Sequence, residues 1–136
     1  MIQRWMHLPG LMVTILFLLH GCAPSPTEHT IRQTIGQHFM AQNLRVVLLE
    51  IGKIEKTPLR DLTYMGGEGF SVEIRSITLE ALEDRPVPPA MRKGDQITYR
   101  NGMIRIKEPY GRKGEWIVGD VRFGRELRMN NRKSIQ

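Results

Sequence analysis

Phe70–Leu82 restricts the possible folds of this chain more than any other stretch. Phe70, Val72 and Ile74 take alternate positions, and so do Ile77 and Leu79, but the second series has shifted by one residue. Period-two alternation is the signature of a strand with one covered face. A one-residue slip would turn the later apolar set to the wrong side unless the strand absorbs an extra residue. The sequence therefore predicts a β-bulge or sharp bend at Arg75-Ser76. Long bent strands belong to strongly curved sheets or small barrels.

The remaining segments build around that strand. Ser25 as N-cap, Pro26 at the first helical position and Glu28 three residues after Ser25 predict a helix over 26–41. Ile31, Ile35 and Phe39 supply its apolar stripe, and Asn43 stops it. Leu44–Ile54 reads as a strand whose Val46-Val47-Leu48-Leu49 run predicts cover on both faces. Gly52 marks a bulge or a close backbone approach. After Pro58 comes a connector with Gly66-Gly67-Glu68-Gly69. It lacks the Lys-Ser/Thr of a phosphate loop and precedes a strand, so it reads as a turn needing positive φ. Residues 83–94, with Pro86, Pro88 and Pro89, read as a mobile loop.

Asn101-Gly102, flanked by Gln96–Arg100 and Met103–Lys107, carries the sequence signal of a two-residue hairpin, pairing Tyr99 with Ile104 and Ile97 with Ile106. Glu115–Phe123 predicts a fifth strand, bulged at Gly119, after a turn at Pro109–Gly114. The sum is an α+β domain: an N-terminal helix packed on a curved antiparallel five-stranded meander or a small, partly closed β-barrel. A cystatin-like sheet around its helix is one concrete form and an OB- or SH3-like barrel the other. The domain is expected over 28–123. Residues 124–136 form a basic C-terminal tail, frayed or briefly helical.

Residues 1–21 have the three parts of a secretory signal: Arg4, an apolar run to Leu19, and small Gly21. The apolar stretch Leu11–Leu19, broken only by Thr14, is far short of the roughly 20 residues that cross a bilayer. It ends in Leu19-His20-Gly21-Cys22, containing the only cysteine of the chain. These four residues resemble the lipobox of bacterial lipoprotein precursors, with His20 where a small or hydroxyl residue is usual. The resemblance implies cleavage before Cys22 and lipid on its sulfur, with residues 22–27 as a short tether. Stable anchoring takes two or more acyl chains. Ala23 follows where inner-membrane retention favours Asp, so the expected address is the periplasmic face of the outer membrane.

Such a protein has no disulfide, and its fold must hold by packing. The net charge of +6 becomes +5 once Arg4 is removed, and it gathers late in the chain. Residues 22–91 hold seven basic and nine acidic side chains, and 92–136 hold twelve and five. An exported chain does not meet nucleic acid, so the expected partners are an envelope protein, anionic lipid or lipopolysaccharide phosphates. Arg100, Arg105, Lys107, Arg112, Lys113, Arg125 and Arg128 are the candidate surface for them.

Chemistry finds little footing. His29 and His38 lie nine residues apart, on opposite sides of one helix, and cannot share a metal. The carboxylates Glu73, Glu80, Glu108 and Glu115 have the spacing of ordinary sheet surfaces and turns. No cofactor motif is present. The expected function is that of a non-enzymatic, lipid-anchored envelope module. The alternatives are a small-ligand or glycan-binding barrel, using the Tyr64–Phe70 loop and an open sheet end, and a cell-wall-acting enzyme. Tyr64 and Tyr110 are candidate aromatic contacts for the basic surface, and Trp116 is expected in the core.

Overall fold

The computed structural model describes residues 25–57, 69–109 and 111–129, the last five by backbone alone. Leu19-His20-Gly21-Cys22, the 58–68 connector with Tyr64, Tyr110 and the end of the tail lie outside the described residues. One helix, α1 (Glu28–Met40), precedes the strands β1 (Leu44–Lys56), β2 (Gly69–Ala81), β3 (Gln96–Lys107), β4 (Ile117–Arg122) and β5 (Arg125–Met129). Among the described residues no helix is long and apolar enough to cross a membrane.

The helix starts two residues later than the sequence predicts. Thr27, not Ser25, is the N-cap, its hydroxyl accepting from the Thr30 amide at 3.2 Å. That bond satisfies one of the amides a helix start leaves open. Asn43, at φ 58°, ends the helix region and turns the chain into β1. Ile31, Ile35 and Phe39 are buried, as their spacing demands. On one flank Arg32 is held by Glu28 and donates to the Leu49 carbonyl of β1 at 2.7 Å. The other flank looks onto β4.

The sheet is antiparallel, four strands wide and open. Its order is β1-β2-β3, with β4 and β5 both on the outer edge of β3. It is neither a five-stranded meander nor a closed barrel, because Asn101-Gly102 does not turn the chain. Gln96–Lys107 is one strand, and β2 pairs with it from Gly69↔Lys107 to Glu80↔Gln96 without a register shift. A two-residue hairpin of this kind needs positive φ at both central residues. Here Asn101 alone has it, at φ 56°. Gly102 serves a different purpose: a Cβ there would stand 2.7 Å from the Arg122 carbonyl and would collide with the Phe123 ring.

Asn101 lies on a line of irregularities across the whole sheet. Against β1, Glu50 pairs with Ser76 but Ile51 pairs with Ile74, so Arg75 is the extra residue that the phase slip predicts. Directly across β2 from it is Asn101. Beyond Asn101, Phe123-Gly124 separates β4 from β5, which otherwise share one register along β3. The apolar parity changes along this line. Phe70, Val72 and Ile74 are buried before it and Ile77, Leu79 and Ala81 after it; on β3, Ile97 gives way to Ile104 and Ile106. Both halves thereby turn their apolar side toward α1.

Other expectations divide. Gly119 is a bulge, left over between Arg105↔Asp120 and Ile106↔Val118. Gly52 is a close approach, its Cα facing the Glu73 carboxylate that accepts from the Lys53 amide at 2.8 Å. The tail is neither frayed nor helical at its start, since residues 125–129 pair with β3. Cover on both faces of β1 fails: Val47 is 49% exposed and Leu48 47%, because β1 is an edge strand and α1 covers only one face. The proline loop is tied down by reciprocal Arg85–Met91 backbone bonds of 2.9 and 3.1 Å, with Met91 buried in the core.

Asn101 and Gly102 are separable by mutation. Asn101→Gly is expected to leave the urea midpoint nearly unchanged, while Asn101→Val loses about 1–3 kcal/mol from a β-branched residue forced to positive φ. Gly102→Ala is expected to lose a similar ~1–3 kcal/mol by overpacking against Phe123. A hairpin turn at this site would instead make both positions demand glycine-like freedom.

Candidate functional site

Register places the seven candidate basic residues. Arg105 sits between Ser71 of β2 and Asp120 of β4, and Lys107 between Gly69 and Ile117, both on the face away from α1. Arg112 and Lys113 follow in the exposed turn after β3. Arg112 is 3.7 Å from Glu115, and the same turn is closed by the Gly114 amide donating to Glu108 at 3.1 Å. Arg100 lies across the bend, directly opposite Arg125, while Arg128 is opposite core-facing Ile97. Lys107, Arg112 and Lys113 thus share one end of the sheet, and the backbone register of Arg100 and Arg125 lies across the bend from them.

Acidic residues interrupt this face. Glu80 accepts two bonds from Arg45, each 3.0 Å, and one from Gln96 at 3.3 Å. The Arg45 bonds, then that from Gln96, hold its carboxyl below the ordinary range. Lys53 pairs with Glu55, whose hydrogen bond and charge raise the lysine pKa. Arg122 is 2.9 Å from Asp120. Exposed pairs like these contribute little stability each, but they neutralise the middle of the face, and the Lys107–Lys113 end, where Glu108 and Glu115 stand beside three basic side chains, keeps a small positive excess. The four carboxylates weighed as acids thus have structural partners: Glu73 holds the Lys53 amide, Glu80 holds Arg45, Glu108 closes a turn and Glu115 meets Arg112.

Hollows open on both faces of the sheet among the described residues. One, of about 270 Å³, lies on the outer face over Lys53, Glu55, Ser71, Glu73, Gly102 and Met103. Another, of about 230 Å³, lies between α1 and β4, lined by Thr34, Gln37, His38, Trp116, Ile117 and Val118. Trp116 is half-buried, its ring edge-on to Phe70 with centroids 5.6 Å apart. His38 is half-buried as well, with its Nε2 3.0 Å from the Gln42 amide nitrogen and its ring edge-on to Phe39. Burial lowers its pKa, favouring the neutral ring. Thr34 donates its hydroxyl to the Thr30 carbonyl at 2.8 Å.

Sequence reasoning placed Trp116 in the core and used His38 to exclude a metal shared with His29. It passed over Thr34 and Gln37, because nothing in helix periodicity tells which strand a flank will face. No three histidine, cysteine or acidic side chains stand close enough to hold a metal among the described residues. No family model matches the chain, and no curated protein or solved structure matches it either.

The lowered pKa of His38 gives a pH dependence with a definite sign. Between its folded pKa and the ordinary value of 6.5, the unfolded chain binds more protons, so stability falls as pH drops through that window. Urea midpoints measured from pH 7.5 down to pH 5 are expected to decline in the native protein, and His38→Gln to flatten the part of the slope nearest neutrality. A slope unchanged in His38→Gln would assign the decline to other groups.

Proposed function

We propose that this chain is a cell-envelope lipoprotein, anchored by lipid on Cys22 at the periplasmic face of the outer membrane, whose α+β domain is a non-enzymatic module that docks another envelope protein. Leu19-His20-Gly21-Cys22, with the only cysteine of the chain closing a short apolar leader, carries the reading. A thiol that is lipidated is no longer exposed to oxidation in an oxidising compartment, which accounts for an unpaired cysteine there. The helix begins at Glu28, so the tether from Cys22 is only a few residues long. Each extended residue spans about 3.3–3.6 Å, which keeps the domain close to the bilayer.

The docking part of the reading is supported by the charge of the domain. Lys107, Arg112 and Lys113 gather at one sheet end, beyond the compensated middle of the outer face. Electrostatic complementarity of this kind steers association and responds to salt. Screening shortens its reach to about 8 Å at physiological ionic strength. An acidic face on a neighbouring envelope protein is the matching partner.

Two measurements test the two halves separately. Cys22→Ala protein is expected to lose both the acyl mass increment and detergent-phase partitioning; Cys22→Ala protein still tightly held in the membrane would sink the anchor. The triple change Lys107→Glu, Arg112→Glu, Lys113→Glu is expected to abolish crosslinking to the partner while leaving the thermal midpoint unchanged, and added salt to mimic it on the native protein. A salt-insensitive interaction that survives the triple change would remove the basic end from the account.

A further inference from the structure

We propose that the cleft between α1 and β4 binds a single uncharged pyranose ring of a glycan. This inference goes beyond protein docking and uses a different surface. Its first support is size: about 230 Å³ is below the ~300–1,000 Å³ of sites for drug-sized ligands. At ~30 Å³ per liquid water, it corresponds to a handful of solvent molecules, the room of one ring and not of a chain.

Its second support is the chemistry of the lining. Thr34, Gln37, Trp116, Ile117 and Val118 carry no charge, and His38 favours its neutral form, so the occupant is uncharged. The surfaces are mixed. Trp116 contributes an indole plane braced from the side by Phe70, and Ile117 and Val118 extend the apolar wall. Against that wall stand polar groups. The Trp116 indole N–H and the Gln37 side-chain amide add two kinds of donor and one acceptor to the lining. His38 engages Gln42 through Nε2, which leaves Nδ1 available.

A pyranose ring has this same division. One face presents C–H groups suited to an aromatic plane, and its rim presents hydroxyls suited to Gln37, His38 and the indole N–H. A wholly apolar side chain would strand these polar groups without partners, which is costly once water is displaced. An anionic group would find no cation among the six lining residues.

The test is calorimetric titration of the full chain, held in a detergent without a sugar headgroup, with an uncharged N-acetylglucosamine tetramer. A glucuronic acid oligomer serves as the charged control. Saturable binding of the neutral oligomer is expected, with Trp116→Phe and Gln37→Ala each weakening it about tenfold or more, the scale of a lost polar contact in a ligand site. Gln37 is exposed on the helix, so Gln37→Ala is expected to melt with the native protein and to separate loss of binding from loss of fold. No saturable binding, affinity unchanged in both variants, or tighter binding of the charged oligomer would each overturn the proposal.

Discussion

The structure depends on three strands changing phase together. In a pleated strand successive side chains alternate between faces, so any local bend that consumes one residue inverts everything after it. A single strand that did this alone would lay its apolar half against solvent and its polar half against α1. Here Arg75 is extra against β1, Asn101 takes positive φ, and Phe123-Gly124 interrupts the outer strand, all along one line. Phe123 supports that line physically. Its ring stacks on Tyr99 at 4.5 Å and faces Phe39 of the helix at 6.4 Å, filling the space left by the missing side chain of Gly102. Helix, bend and sheet halves are thereby packed around one aromatic residue.

This explains which parts of the fold were legible in the letters. The slip between Ile74 and Ile77 is visible because both apolar series are strong, and it locates the bulge at Arg75. The same event on β3 was misread. Asn-Gly is a short-range signal for positive φ, and positive φ serves a hairpin and a mid-strand bend equally well. Only the partner strand decides, since the uninterrupted pairing of β2 with Gln96–Lys107 excludes a reversal. Splitting that strand in two produced the fifth strand of the sequence reading. The outer strand met the opposite fate: its second half carries only Leu127 and Met129 at alternate positions, too short a pattern to read as a strand, although it pairs from Arg125 to Met129.

The candidate sites were legible to a different degree. Basic composition located Lys107, Arg112 and Lys113 near one another because they are close in sequence. It could not foresee that Arg128 takes a strand register opposite Ile97 or that Arg45, Lys53 and Arg122 meet acidic neighbours. The cleft beside Trp116 was harder still. It joins positions 34–38 of a helix to positions 116–118 of a strand about eighty residues on, a juxtaposition created by where α1 rests on the sheet.

The interruptions along β1 carry a last consequence. Among the described residues its outer edge exposes backbone as well as Val47 and Leu48, the combination that lets one chain recruit another into cross-strand aggregates. Yet its pairing with β2 shifts after Val46, after Glu50 and again after Ile51, so that no more than three successive residues keep one phase. A passing strand would find matching backbone groups only briefly before falling out of step. The irregular spacing makes this rim a poor template, and a greasy, unpaired border can remain exposed without seeding a fibril.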